Sequence, residues 1–223
     1  MSRHPTDCYI TSPEAAVALE RHLVSHWWRH EGFEWVIDPF AGPGTLPLWA
    51  EGWGARTAVM ELDERWASEL GGKRHHEVRC PFDSLAGGWV FEFSDTTAVI
   101  ISNPPYSRTA DAVEIAATFA STRGHEAWLL LREDWFSHPG RPLPHYYLKL
   151  RWRPAMGLQL DKRTGKRRPG TDRAGYVWAG WTGSSTGEET TCTLHVLDRP
   201  EVPAEWRAEH RRLLEIADAM RAA

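Results

Sequence analysis

Short apolar runs alternate with helical segments between residues 13 and 131 of this 223-residue chain. The runs predict five strands, at residues 34–37, 56–60, 77–80, 98–102 and 126–131. Helical patterns accompany them, at residues 13–30, 46–53, 63–70 and 111–122. Strands that alternate with helices predict an α/β fold, in which a mostly parallel sheet carries helices on both faces. The strands are almost continuously apolar, as expected for a sheet that is buried on both sides.

The chain after residue 136 is less regular. Prolines and charged residues interrupt residues 137–174, within which we predict one strand at 146–152. Regular patterns return at 175–181 and 190–197, which we interpret as antiparallel closing strands of the sheet with a turn at 183–187 between them. A helix with an incomplete apolar face follows these strands.

The composition is that of a globular protein, with 42% hydrophobic and 25% charged residues. No apolar stretch approaches the roughly 20 residues that span a bilayer, and no secretory signal is visible at the start of the sequence. The three cysteines, Cys8, Cys80 and Cys192, are far apart and form no metal-binding pair. We therefore expect a cytoplasmic protein without a disulfide framework, a metal or a membrane partner.

A glycine-rich turn follows the first predicted strand and gives a candidate binding loop. The loop comprises Asp38, Pro39, Phe40, Ala41, Gly42, Pro43, Gly44 and Thr45. Glycines allow a sharp bend and a close approach of the backbone to a ligand at the carboxyl edge of a parallel sheet. The loop contains no lysine, arginine or P-loop pattern, which argues for a ligand without phosphates. The alternative is an ordinary turn.

Two acidic residues follow the next two strands and suit a nucleoside-like ligand. Glu61 follows the second strand and is the expected acceptor for two vicinal ribose hydroxyls. Asp83 lies past the third strand and is placed to meet the exocyclic amine of an adenine ring. In the bland alternative, Glu61 is a solvated acid at the start of a helix.

The second candidate half-site is Asn103-Pro104-Pro105-Tyr106, directly after the strand at 98–102. The Asn103 side-chain oxygen and the Pro104 carbonyl can accept both hydrogens of a planar amine, and Tyr106 offers a flat face for stacking. Such a grip favours a pyramidal nitrogen whose lone pair faces the cofactor. The alternative is a proline-rich loop with an incidental aromatic residue.

Basic residues concentrate in one segment although the chain has a net charge of −4. Between Arg141 and Arg173 there are ten basic and two acidic residues, which gives a local charge of +8. Such a patch fits a phosphate backbone, whereas the alternative is a solvated basic loop. We treat residues 1–223 as one domain and the insertion at 137–174 as its candidate target-recognition region. The candidate nucleic-acid contacts are Arg153, Arg163, Lys166, Arg167 and Arg168.

These motifs resemble those of S-adenosylmethionine-dependent N6-adenine DNA methyltransferases, particularly the small enzymes of phages and bacteria. Residues 38–45 are similar to the family's cofactor loop, Glu61 to its ribose acid, Asp83 to its adenine-contacting acid, and 103–106 to its NPPY motif. Tyr9 and Thr11 belong to a stretch that resembles the N-terminal cofactor segment, with an extra Ser12. Residues 153–156 resemble an R-P-x-F element, with Met156 in the place of its aromatic residue.

The resemblance implies a Rossmann-like class I methyltransferase fold with a mostly parallel seven-stranded sheet. It implies S-adenosyl-L-methionine as cofactor and DNA as partner, with the target adenine flipped out of the duplex and stacked on Tyr106. It also implies a role in DNA methylation, such as phage protection or restriction-modification. Two alternatives keep the chemistry, on adenine in RNA or on a glutamine amide in protein. A third alternative is a non-catalytic nucleic-acid-binding module.

Overall fold

The computed structural model describes residues 10–26, 32–46, 54–122, 124–154, 174–183 and 192–222. Four α-helices fall in these ranges, α1 Pro13–His26, α2 Ala67–Gly71, α3 Thr109–Ala120 and α4 Ala204–Ala222. The strands are β1 Trp35–Asp38, β2 Arg56–Met60, β3 Glu77–Arg79, β4 Ala98–Ser102, β5 His125–Arg132, β6 Tyr146–Leu150, β7 Tyr176–Thr182 and β8 Thr193–Leu197. Among the described residues, no helix is long and apolar enough to cross a membrane.

All eight strands form one sheet, in the order β3-β2-β1-β4-β5-β7-β6-β8. Every neighbouring pair is parallel except the two that involve β7, which runs antiparallel to both β5 and β6. The carboxyl ends of β2, β1, β4 and β5 therefore meet along one edge of the sheet, where ligands bind in open α/β folds. The prediction of an α/β fold with a mostly parallel sheet is confirmed.

Helices pack on both faces of the sheet and bury it. On one face, α3 and a 3-10 helix at Gly88–Phe93 pack over the centre of the sheet. On the other face, α1 covers the centre, and α2 and α4 cover the β2 side. The start of α1 follows from its sequence, because the Ser12 hydroxyl accepts a hydrogen bond from the Ala15 backbone N–H at 3.3 Å.

The sheet differs from the expectation in two ways. It has eight strands rather than seven, because β8 adds a further edge beside β6. The prediction that the last two strands are antiparallel closing strands of the sheet is wrong for β8, which pairs parallel with β6. Strand β6 lies between β7 and β8 and forms backbone hydrogen bonds with one edge of each. The last two strands therefore do not pair as a hairpin.

Several predicted boundaries shift by a few residues. The predicted helix at 63–70 is a 3-10 turn at Glu64–Trp66 that continues into α2, and the strand at 146–152 ends at Leu150. Helix α3 begins at Thr109, two residues before its predicted start. The predicted helix at 46–53 and the turn at 183–187 lie almost entirely outside the described residues.

Candidate functional site

Polar side chains meet at the carboxyl edge of the sheet because three neighbouring strands end there. Asp38 is the last residue of β1, Glu61 follows β2, and Asn103 follows β4. Strands β2 and β4 flank β1 on either side. Adjacent strands are about 4.8 Å apart, so the two predicted half-sites lie side by side.

Asp38 joins the two half-sites. Its side chain is fully buried, and its Oδ1 accepts hydrogen bonds from the Phe40 backbone N–H at 3.1 Å and the Ser102 hydroxyl at 2.5 Å. The first bond shapes the start of the glycine turn, and the second ties that turn to the strand that carries Asn103. Asp38 thus braces the glycine loop.

Glu61 also holds the loop in place. Its side chain is 1% exposed. Its Oε2 accepts the Gly42 backbone N–H at 2.6 Å, and its Oε1 accepts the Asp63 backbone N–H at 2.8 Å. The bond to Gly42 holds the glycine loop and was not predicted from the sequence, and the predicted contact of Glu61 with a ribose stays a prediction. The alternative of a solvated acid is wrong, because the side chain is buried.

The two glycines of the turn differ in what surrounds them. Both have positive φ, 53° at Gly42 and 71° at Gly44. A Cβ at Gly44 would lie 2.6 Å from Leu70 Cδ2 and 2.8 Å from His75 Nε2, so the loop packs tightly on the structure below it. A Cβ at Gly42 would meet nothing within 4 Å. The open space at Gly42, in a loop without cations, fits the close approach of a phosphate-free nucleoside.

His75 lies directly under this turn. It is half-buried, and burial lowers the pKa of its imidazole to about 4. The neighbouring charges of Lys73 and His76 lower this pKa further, while the nearby Gly44 backbone raises it. The imidazole is therefore neutral at physiological pH and supports the turn as an uncharged group.

The Asn103–Tyr106 loop is closely packed. Asn103 is 3% exposed, and Pro104 and Pro105 are buried. The Tyr106 hydroxyl donates to Asn103 Oδ1 at 2.8 Å. The Tyr106 ring is half-buried, with its centroid 5.9 Å from that of the buried Tyr176 and an interplanar angle of 45°. The structure therefore adds a contact that sequence did not predict, in which Tyr106 binds the proposed amine acceptor.

The other predicted cofactor residues lie around the same edge. Asp83 is exposed past β3, where its Oδ1 accepts the Leu85 N–H at 3.1 Å and caps a 3-10 helix at Ser84–Ala86. In the glycine loop, Pro39 and Ala41 are buried, and Phe40 packs against the core on the α3 face. Tyr9 lies outside the described residues.

Thr11 and Thr45 share a pocket of about 300 Å³ with residues of α4. Its other lining residues are Pro13, Trp206, Glu209, His210 and Leu213. Two predicted cofactor residues that are 34 positions apart in sequence thus line one cavity. The sequence did not predict that α4 lines this pocket, because an amphipathic pattern predicts a helix but not the surface on which the helix packs.

The predicted nucleic-acid contacts fall mostly outside the described residues. Arg153 is exposed just after β6, whereas Met156, Arg163, Lys166, Arg167 and Arg168 are not described. Nearby cations are engaged in ion pairs, Arg132 with Asp134 at 2.8 Å, Lys149 with Glu133 at 2.6 Å, and Arg151 with Asp198 at 3.0 Å. Among the described residues, no group of three or more His, Cys, Asp or Glu could hold a metal ion.

Comparison with known proteins identifies the fold. No protein-family model and no curated protein matches the chain. A Listeria monocytogenes protein assigned as a class I S-adenosylmethionine-dependent methyltransferase matches 98% of this chain and 74% of its own, with a TM-score of 0.53 and 10% identity. A Pyrococcus horikoshii protein assigned as an RNA methyltransferase matches 82% of this chain and 89% of its own, with a TM-score of 0.53 and 18% identity. The chain has the Rossmann-like fold of class I methyltransferases.

Proposed function

We propose that this protein transfers a methyl group from S-adenosyl-L-methionine to the N6 amine of adenine in DNA. The observation that carries the proposal is the junction of two loops at one sheet edge. The glycine turn after β1 and the Asn103–Tyr106 loop after β4 are joined by the Asp38–Ser102 hydrogen bond. A planar amine held at Asn103 therefore lies beside a loop suited to a phosphate-free nucleoside.

Four groups of this chain would hold the cofactor. Glu61 would accept the ribose hydroxyls, since each carboxylate oxygen has more than one lone pair and can accept further bonds beside those from the loop. Asp83 would meet the adenine amine, and the open space at Gly42 would admit the nucleoside. Thr11 would contribute from the N-terminal segment. S-adenosylmethionine, when bound, supplies a methyl group activated by its positive sulfonium.

The Asn103 loop would activate the acceptor amine. Asn103 Oδ1 and the Pro104 carbonyl accept its two hydrogens, which draws the nitrogen lone pair out of conjugation with the ring. The lone pair is then available for nucleophilic attack, and the proton that the nitrogen loses leaves to water. Catalysis rests on alignment and hydrogen-bond polarisation, without a covalent enzyme intermediate.

The choice of a nucleobase over a protein amide rests on charge and on stacking. The basic segment between Arg141 and Arg173 favours a polyanion. Tyr106 offers a ring face at the same loop, and a base in a duplex reaches such a pocket only by flipping out of the stack. Adenine in RNA is the second candidate acceptor, because the basic segment does not distinguish DNA from RNA.

A methyl-transfer assay with tritiated S-adenosylmethionine tests the proposal. Duplex DNA, single-stranded DNA and RNA are compared, each with a matched strand that lacks adenine. We expect transfer to adenine-containing duplex DNA, with the label recovered as N6-methyladenine. Label in RNA alone, in protein, or in no acceptor despite cofactor binding would contradict the proposal in its present form.

An Asn103→Ala variant tests the catalytic assignment. We expect methyl transfer to fall by about 100-fold or more, as for the loss of an essential polarising hydrogen bond. Binding of S-adenosylmethionine, measured by calorimetry, should stay within about twofold, because the variant removes an acceptor for the amine rather than the loop at Gly42. Wild-type rates in this variant would overturn the assignment.

A further inference from the structure

The two predicted half-sites follow different pairs of strands at the carboxyl edge of the sheet. Strand β1 pairs with β2 as far as Asp38, and β4 pairs with β5 as far as Ser102. The pairing of β1 with β4, between them, ends earlier, at Ile37 and Ile100. The backbone ladder between β1 and β4 therefore stops one residue before Asp38 and two residues before Ser102.

Each half-site is held on its own side of this gap in the ladder. The glycine loop is tied to β2, because the Ala41 backbone N–H donates to the Met60 carbonyl at 2.9 Å. Asn103 follows Ser102 directly, so its Cα lies about 3.8 Å from that of Ser102. A displacement of one strand pair relative to the other would therefore change the distance between the two half-sites.

A buried side-chain bond spans the gap. The Ser102 hydroxyl donates to Asp38 Oδ1 at 2.5 Å, and both residues are 0% exposed. The same oxygen accepts the Phe40 backbone N–H at the start of the glycine loop. One carboxylate oxygen thus binds both the glycine loop and the residue that precedes Asn103. Because breaking this bond would leave a buried polar group without that partner, it holds the two strand ends together.

Methyl transfer depends on the distance that this bond helps to set. In the proposed reaction, the glycine loop and Glu61 hold the methyl donor, and Asn103 holds the amine. The amine nitrogen attacks the methyl carbon in line, so the reacting atoms must lie about 3–3.5 Å apart. A misplacement of about 1 Å can lower the rate about 100-fold. A group that ties the two loops together therefore affects the rate without touching a reacting atom.

We propose that Ser102 is a positioning residue for methyl transfer, and that its bond to Asp38 sets the distance between the amine at Asn103 and the methyl donor. This inference rests on the proposed function. Ser102 acts through its neighbours, since its own side chain is fully buried. Each substrate is bound by contacts on its own side of the gap, whereas the rate of transfer depends on the bond across it.

A Ser102→Ala variant tests this role. The variant removes the hydroxyl and leaves the bond from the Phe40 N–H to Asp38 in place. We expect the single-turnover rate on adenine-containing duplex DNA, with both substrates saturating, to fall about tenfold to 100-fold. The dissociation constants of S-adenosylmethionine and of DNA should stay within about twofold. Ser102→Cys keeps the size of the side chain but has only a weak thiol donor, so it should also be slowed.

Thr182→Val is the matched control, because it also removes a buried hydroxyl from the last residue of a strand. Thr182 is 8% exposed, and its hydroxyl lies 3.4 Å from His145 Nδ1. It pairs with Glu126 near the amino end of β5, away from the candidate site. Rates are measured below the thermal transition of each variant, and Thr182→Val should keep the wild-type rate.

Three results would overturn the role of Ser102. These are a wild-type rate in Ser102→Ala or Ser102→Cys, a loss that lies in the affinity for S-adenosylmethionine or DNA instead of the rate, and an equal loss of rate in Thr182→Val. Absence of any transfer to adenine by the wild type would instead refute the proposed function itself, and the role of Ser102 with it.

Discussion

At the scale of single residues, the Tyr106–Asn103 hydrogen bond gives Tyr106 two separable roles. The ring would stack on the base, while the hydroxyl donates to Asn103 Oδ1 at 2.8 Å. An amide oxygen has two lone pairs, so it can accept from Tyr106 and from a substrate amine together. The hydroxyl would then orient the acceptor for catalysis, and the ring would govern substrate binding.

Tyr106→Phe and Tyr106→Ala separate these roles. Removing the hydroxyl should lower kcat about fivefold to tenfold, the effect of about 1 kcal/mol for one hydrogen bond, with little change in KM. Removing the ring as well should also raise KM about tenfold, because stacking of a base on an aromatic side chain contributes about 1–3 kcal/mol. Steady-state kinetics on duplex DNA measures both. Wild-type kcat in Tyr106→Phe would show that the hydroxyl does not position Asn103.

The two loop glycines predict different consequences for the same substitution. Gly44→Ala should destabilise the fold by about 2–4 kcal/mol, because positive φ costs about 1–2 kcal/mol for an L-residue and the new methyl meets Leu70 and His75. Gly42→Ala should cost only the backbone strain, yet weaken S-adenosylmethionine binding tenfold or more by filling the open space. Urea unfolding and calorimetry check the two effects.

Gly87→Ala is the control for backbone strain. Gly87 also has positive φ, at 75°, and open space at its Cβ position, but it lies outside the glycine loop. It should lose stability to a similar extent as Gly42→Ala and keep cofactor affinity. Equal cofactor affinity in the Gly42 and Gly87 variants would contradict the assigned approach of the nucleoside.

The sequence located the candidate site residues at the strand ends but did not determine what each side chain binds. Apolar runs and glycines suffice to place Asp38, Glu61 and Asn103 at strand ends. The bond from the Gly42 N–H to Glu61 depends on the path of a loop 19 residues earlier in the chain.

At the scale of secondary-structure elements, the segment before β3 supports the glycine loop through His75. Its Nε2 lies against Gly44, and burial keeps its pKa near 4, below the usual value of 6.5. Between these two pH values the unfolded chain binds a proton that the folded protein does not. Folding stability should therefore fall as the pH drops from about 6.5 towards about 4.

A His75→Gln variant tests whether protonation of His75 causes this loss of folding stability. The variant should have a shallower loss of stability in that pH window, with a difference in slope below about 1.4 kcal/mol per pH unit, the limit for one proton. Urea unfolding at several pH values from 4 to 7 measures it. His76→Gln is the control, because His76 is the next residue of the same segment but is exposed. Identical slopes in the wild type and His75→Gln would contradict the assignment.

The order of β6, β7 and β8 in the sheet could not be predicted from the sequence pattern of each strand. Patterns at 146–152, 175–181 and 190–197 predict strands, and all three positions hold strands. Local pattern favours pairing of consecutive strands, but β6 inserts between β7 and β8. Alternation within each strand is satisfied by either arrangement, so only the packing of the whole sheet decides between them.

At the scale of the whole molecule, charge is distributed unevenly between the sheet and the insertion. The described cations near the carboxyl edge are largely balanced by carboxylates, as with Lys149 and Glu133 or Arg151 and Asp198. Exposed pairs of this kind add little stability, but they reduce the net field that attracts a polyanion. The excess positive charge of the 141–173 segment therefore comes from its cations other than Lys149 and Arg151.

Neutralising that excess is the whole-molecule test of nucleic-acid binding. Replacing Arg163, Lys166, Arg167 and Arg168 with glutamine should weaken duplex binding about tenfold or more at low salt. It should also reduce the slope of log affinity against log salt by about 0.9 for each phosphate that the variant no longer neutralises. The control variant carries glutamine at four exposed arginines outside that segment, Arg21, Arg56, Arg74 and Arg211. It removes the same charge and should keep most of the salt slope, because counterions are released by cations that touch phosphates rather than by the net charge. Equal slopes in both variants would show that the segment is a solvated basic loop and that DNA binds to another face of the protein.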